Sequence, residues 1–190
     1  GHIMHQVLTK SPYAFTSGSS ANHDFVEAPS QMLENWVWDK KMLSKISGHY
    51  LDHNKKLPEA MIDQMIALKK FNQGFEYSRQ VMLATFDLKI HTQENVDVTE
   101  TYKQVYKDIL KMDPVPNTHM PATFGHMMGG YDAGYYSYLW SEVFAADMFN
   151  TRFREHLFDS EVGREYRKII LESGGMLDPT ELLTRFLGRQ

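Results

Sequence analysis

The chain has 190 residues, with 20 Lys or Arg against 24 Asp or Glu and a formal net charge of −4. At 42% apolar and 23% charged residues it is neither disordered nor fibrous, and its charge gives no reason to expect nucleic acid as a partner. The absence of cysteine excludes disulfides, thiol catalysis and Cys-ligated zinc, and no apolar run approaches the roughly 18 residues of a membrane span.

Gly1-His2-Ile3-Met4-His5-Gln6 reads like the inside of a helix and not like a signal peptide. A Gly-His opening is either a cloning remnant or the edge of a fragment of something longer. The stretch from Thr16 to Asn22, with Gly18 and its serines, reads as a loop. Pro29 suits a first helical turn, and Met32, Leu33, Trp36, Val37, Leu43 and Ile46 recur at helical spacing up to a stop at Gly48. Lys55-Lys56-Leu57-Pro58-Glu59 starts a second helix, with Met61, Ile62, Met65, Ile66 and Leu68 as its apolar face. Gly74 interrupts it, and a long helix resumes through Tyr77, Val81, Leu83, Leu88 and Ile90. Thr99 is a reasonable N-cap for a helix to Met112. Pro114, Pro116 and Pro121 then forbid a continuous helix. From about Ala133 to Phe153 the chain is expected to be helical again. Shorter helices follow near Val162–Leu171 and Pro179–Leu187, separated by Ser173-Gly174-Gly175. No β pattern persists, so the fold class is mainly α, with at most short strand segments.

Nine histidines are the natural metal ligands. His49 and His53 have the i, i+4 spacing used for zinc, but the stop at Gly48 makes a solvated turn the better reading. His2 and His5 read singly as surface histidines. Glu27, just before a helix, reads singly as a cap or dipole partner. The segment from Phe124 to Tyr138 is different. It is dense in His, Tyr and Gly, where a core helix would prefer Leu and Ala. Gly125, Gly129, Gly130 and Gly134 loosen the backbone. Tyr131, Tyr135 and Tyr138 fall at i, i+4 and i+7, one face of a helix. Three phenols there are either amphipathic packing or hydrogen-bond donors aimed into a cleft.

Asp24-Phe25-Val26-Glu27-Ala28-Pro29-Ser30 continuing to Trp38, Met120-Pro121-Ala122-Thr123-Phe124-Gly125-His126 continuing through Gly129-Gly130-Tyr131-Asp132-Ala133, and Tyr135-Tyr136-Ser137-Tyr138 onward together resemble the thimet oligopeptidase and neurolysin family of zinc peptidases, peptidase family M3. The resemblance runs over essentially the whole chain. It implies the C-terminal, multi-helix portion of a zincin-type catalytic domain, with residues 1–190 as one fragment of it. The family's zinc motif, H-E-x-G-H, would end at Gly1-His2, so that its first histidine and its glutamate precede this chain. His2 then resembles the second zinc ligand and Glu27 the third. The resemblance further implies catalytic, oxyanion-stabilising roles for His126, Tyr131 and Tyr138. It implies substrate contacts for Tyr135 and for the loop at Gly129 and Gly130. A phenol, neutral near pH 7, is a suitable donor to a tetrahedral oxyanion in a dry cleft. His23 stands where animal members of the family usually carry arginine.

The expected function is therefore zinc-dependent hydrolysis of short peptides by a cytoplasmic oligopeptidase holding one zinc ion, with this chain inactive alone. No nucleic acid and no membrane is expected as a partner. The rival expectation is a non-catalytic helical fragment or interaction module that forms homodimers through exposed channel surface.

Overall fold

The expectation of a mainly α chain holds. In the computed structural model, which describes residues 1–189, every regular element is a helix, and no strand occurs among the described residues. These residues form two compact units, one from residues 1–71 and 141–189 and the other from Asn72–Trp140. No helix among the described residues is long and apolar enough to cross a membrane.

The first unit contains α1 (His2–Leu8), α2 (His23–Val26), α3 (Ala28–Glu34), α4 (Lys40–Ile46) and α5 (Glu59–Lys70). It also holds α8 (Ser137–Met148) from Ser141 onward, α9 (Ser160–Tyr166) and α10 (Pro179–Leu187). Pro29 lies in the first turn of α3, where its missing N–H forfeits no bond. The single helix expected from Pro29 to Gly48 is broken instead at Asp39. Its backbone is extended and its carboxylate accepts the Met42 N–H at 3.0 Å, starting α4. The apolar face of these helices closes on a core that includes Phe25, Met32, Met148, Ile170 and Phe186, all fully buried. Trp36 sets its ring edge-on to Phe149 and Phe153, with centroids 5.3 and 4.8 Å away. Its indole N–H donates to the Leu157 carbonyl at 3.0 Å, which satisfies the polar end of a mostly apolar side chain.

Ser173-Gly174-Gly175 separates the last helices as expected, and the spacing needs both glycines. Gly174 has φ +53°, and a Cβ on Gly175 would stand 1.9 Å from the Ser20 carbonyl oxygen. The bare backbone lies against the loop after α1, where the Gly175 N–H donates to Thr16 O at 2.9 Å.

The second unit contains α6 (Gln73–Thr92), α7 (Val98–Leu110), two 3-10 turns at Met120–Thr123 and Gly125–Met128, and the start of α8. The break before α6 comes at Asn72, with φ 57°, and Gly74 lies inside the helix. Asp97, not Thr99, caps α7: its Oδ1 accepts from the Thr99 and Glu100 N–H groups at 3.0 Å each. A carboxylate outcompetes a hydroxyl here because it carries charge toward the positive helix end. α6 packs on α7 through Met82, Phe86, Tyr102 and Val105. The Phe86 and Tyr102 rings stand edge to face with centroids 5.5 Å apart.

Candidate active site

α1 and α3 bring together two side chains that lie 25 residues apart in sequence. His2 Nε2 stands 2.9 Å from Glu27 Oε2. A Cβ on Gly1 would fall 2.2 Å from Ser30 Cα, so the start of α1 lies directly on the backbone of α3. Glu27 occupies the N-terminus of α3 without making a side-chain cap. Its carboxylate, 7% exposed, turns toward His2 and accepts from Ser30 Oγ at 2.7 Å. The same hydroxyl lies 2.9 Å from the Glu27 carbonyl, so Ser30 braces the very oxygen that faces His2.

An imidazole nitrogen and a carboxylate oxygen are both good zinc donors. Two ligands of one tetrahedral zinc stand roughly 3.4 Å apart, from bond lengths of about 2.0–2.2 Å. Opening the His2–Glu27 contact by about half an ångström would therefore admit the ion. The pair fits as part of a ligand set. Among the described residues no group of three or more His, Asp or Glu could hold a metal. His2 Nδ1 is buried without a hydrogen-bond partner, an orphaned nitrogen of the kind that an outer-shell acceptor normally fills in zinc proteins.

His5 follows on the same helix and is fully buried, with neither ring nitrogen bonded. Burial, and secondarily the neighbouring His2, push its pKa down from 6.5 to about 4. At pH 7 the imidazole is mostly neutral in both the folded and the unfolded chain and contributes little pH dependence. Below about pH 6.5 the unfolded chain takes up a proton that the folded chain refuses until about pH 4, so stability falls across that window. The shift corresponds to at most about 3 kcal/mol. Urea unfolding midpoints should therefore drop between pH 7 and pH 4.5, and His5→Leu should remove that part of the drop. An unchanged pH dependence in His5→Leu would mean that other groups carry it.

In the second unit four aromatic side chains converge. The His126 ring is edge-on to Tyr131, Tyr135 and Tyr138, with centroids 5.7, 5.0 and 5.6 Å away. Tyr131 and Tyr138 stack at 5.2 Å with 19° between their planes. The sequence placed the three tyrosines on one helical face. That is not how they meet, because α8 begins only at Ser137. Tyr131 and Tyr135 instead lie in a turn. Gly130, with φ +89°, reverses the chain, and the N–H groups of Gly129 and Tyr131 both donate to the His126 carbonyl at 3.1 Å. Glycine is required there because an L side chain rarely adopts that φ. The rings border an open cleft of about 720 Å³ that is also lined by Arg79, Met120, Thr123 and Gly129. Tyr135 is the least accessible of the three, at 6% exposed. Its hydroxyl donates to Gln80 Oε1 at 3.0 Å, and burial raises its pKa. Tyr131 and Tyr138 are only half-buried.

Sequence reasoning missed two residues here. Arg79 places a cation beside the cleft, and its sole sequence signal is a charged side chain on an otherwise mixed helix. Asp87 is fully buried on α6. It accepts from the N–H groups of Ala133 and Tyr135, at 2.9 Å each on its two oxygens. A lone Asp in an apolar helical run is the signal that could have found it, since such a charge must be bonded when buried. His49 and His53 lie in the turn after α4, as expected.

Similarity to known proteins gives the class, a family of peptidases. The model for peptidase family M3 matches residues 1–190, and the chain belongs to that family. It is 42% identical over 192 residues to the thimet-like oligopeptidase of Dictyostelium discoideum, covering 99% of this chain and 28% of that protein. It is 39% identical to saccharolysin of Saccharomyces cerevisiae and 38% identical to oligopeptidase A of Escherichia coli, covering 100% of this chain in each case. The chain spans 27% and 29% of those two proteins' lengths.

Proposed function

We propose that this chain is part of a zinc-dependent metalloendopeptidase that hydrolyses short peptides. It would supply two of the zinc ligands, His2 and Glu27, together with the donors that stabilise the transition state. The observation that carries this reading is the 2.9 Å contact between His2 Nε2 and Glu27 Oε2, which joins the two residues that the family pattern marks as ligands. Bound zinc would polarise the scissile carbonyl and activate a water. His2 and Glu27 would hold the ion, with Ser30 bonded to the Glu27 carboxylate. The hydroxyls of Tyr131 and Tyr138 and the His126 ring donate to the oxyanion of the tetrahedral intermediate. Gly129 and Gly130 let the turn adjust over bound peptide, and Tyr135 contacts substrate at the cleft wall. The compartment that goes with this reading is the cytoplasm.

The 190-residue polypeptide by itself is expected to be inactive. Hydrolysis needs three metal ligands and a base to take the water's proton, and the family's first histidine and its glutamate would have to come from outside these residues. The test compares the whole enzyme with the isolated chain on a quenched fluorescent peptide. The whole enzyme should lose cleavage to a chelator and regain it with zinc, and the isolated chain should show none. Chelator-insensitive cleavage by the whole enzyme, or zinc-dependent cleavage by the isolated chain, would overturn the respective half of the reading. A second reading, self-association of the isolated chain, draws on Ile3, Val7 and Phe15, which are 74, 72 and 90% exposed. Sedimentation of the same sample decides it, since a concentration-independent monomer rules it out.

A further inference from the structure

We propose that Asp87, with His91 behind it, is the positioning residue that holds the tyrosine turn in its catalytic geometry. This rests on Tyr131 and Tyr138 being the oxyanion donors.

The turn before α8 has no regular structure to fix it. Ala133 adopts φ 55°, a left-handed conformation that a non-glycine residue keeps only when its surroundings impose it. The N–H groups of Ala133 and Tyr135 precede α8 and have no helical acceptor. Asp87 supplies one oxygen to each, Oδ1 to Ala133 and Oδ2 to Tyr135, both at 2.9 Å. Two backbone groups two residues apart are thereby clamped to one carboxylate held on the last two turns of a 20-residue helix. The clamp reaches the donors on both sides. The Gly134 N–H donates to Tyr131 O at 3.0 Å, and Tyr138 N donates to Tyr135 O at 3.4 Å.

The carboxylate is 0% exposed, and its third contact is His91, one helical turn on. His91 Nδ1 stands 2.9 Å from Asp87 Oδ1 and 2.9 Å from the Asp87 backbone carbonyl. Both partners are acceptors, so Nδ1 carries the hydrogen. His91 is partly accessible, with 31% of its side chain exposed, and braces Asp87 from the solvent side. An apolar residue at 87 would serve the packing of α6 on α7 at least as well, because buried charges are costly unless fully bonded. What only a carboxylate does is accept on both oxygens at once. Asn offers one acceptor and turns its NH₂ toward a third N–H.

The test uses the whole enzyme with its zinc content checked in each variant. Asp87→Asn should lower kcat by about 10²-fold, the scale of a misplacement of roughly 1 Å, with KM changed little because the lost interaction belongs to the transition state. In a Tyr131→Phe, Tyr138→Phe background the same substitution should cost less than about threefold, since residues that act through one another are not additive. Full additivity would overturn the positioning role while leaving the tyrosine donors standing. Silent tyrosine substitutions would instead overturn the donor reading on which it rests. If Asp87→Asn does not fold, His91 decides. His91→Asn keeps an N–H where Nδ1 was and should retain kcat, whereas His91→Leu should lose about tenfold, the lower end for an outer-shell partner. Equal kcat in those two variants would overturn the proposal.

Discussion

Replacing Tyr138 by Phe in the whole enzyme should lower kcat by about 10²–10³-fold, the loss expected when one oxyanion donor is removed. Tyr131→Phe should behave likewise. The substitution removes one oxygen and leaves the ring, so the 5.2 Å stack of Tyr131 on Tyr138 and the edge contacts of both with His126 remain. The ring packing is kept, and KM should move less than kcat. Tyr135→Phe is the internal control. Its hydroxyl already donates to Gln80 from a buried position, so its loss should cost about 1 kcal/mol of stability and much less activity. Steady-state kinetics on one fluorogenic peptide, with circular dichroism melting of each variant, separates these outcomes. Unchanged kcat in both Tyr131→Phe and Tyr138→Phe would return the cluster to a role in packing.

Glu27→Ala should weaken zinc binding by the whole enzyme by about 10²–10⁴-fold. The binding energy of a zinc site, of order 10–16 kcal/mol in structural examples, shared over its ligands leaves roughly 3–5 kcal/mol for each. Peptide hydrolysis should fall with it and recover in part at high zinc. The fold should survive, because Ser30 Oγ keeps its 2.9 Å contact with the backbone carbonyl of residue 27 and the side chain makes no helix cap. Competition against a chromogenic chelator measures the affinity directly. An unaltered affinity would remove Glu27 from the ligand set and leave His2 without its partner.

Most of the helical plan was legible because apolar spacing reports a buried stripe wherever one side of a helix meets a core. α5 and α6 show this only in part: Ile62 and Leu83 are buried where the periodicity places them, while Met61, Met65 and Leu68 on α5 and Tyr77, Val81 and Leu88 on α6 stay exposed because only a narrow stripe of each helix meets a core. Caps and breaks were less legible. Asp39 and Asp97 take their roles through local carboxylate–N–H bonds, and nothing in an apolar pattern records these.

What the sequence by itself determined is the inventory: a helical chain with no cysteine, a histidine and a glutamate in family register, and a Gly-rich aromatic segment. What only the tertiary structure decided is how those groups meet. His2 and Glu27 touch because Gly1 lacks a Cβ and lets α1 lie on the α3 backbone. The tyrosines gather not by helical periodicity but through a left-handed turn clamped by Asp87, from 46 and 48 residues away in the chain. The physical reason is the same in both cases. Helical period is a property of neighbouring residues, whereas a buried carboxylate takes whichever N–H groups folding brings to it.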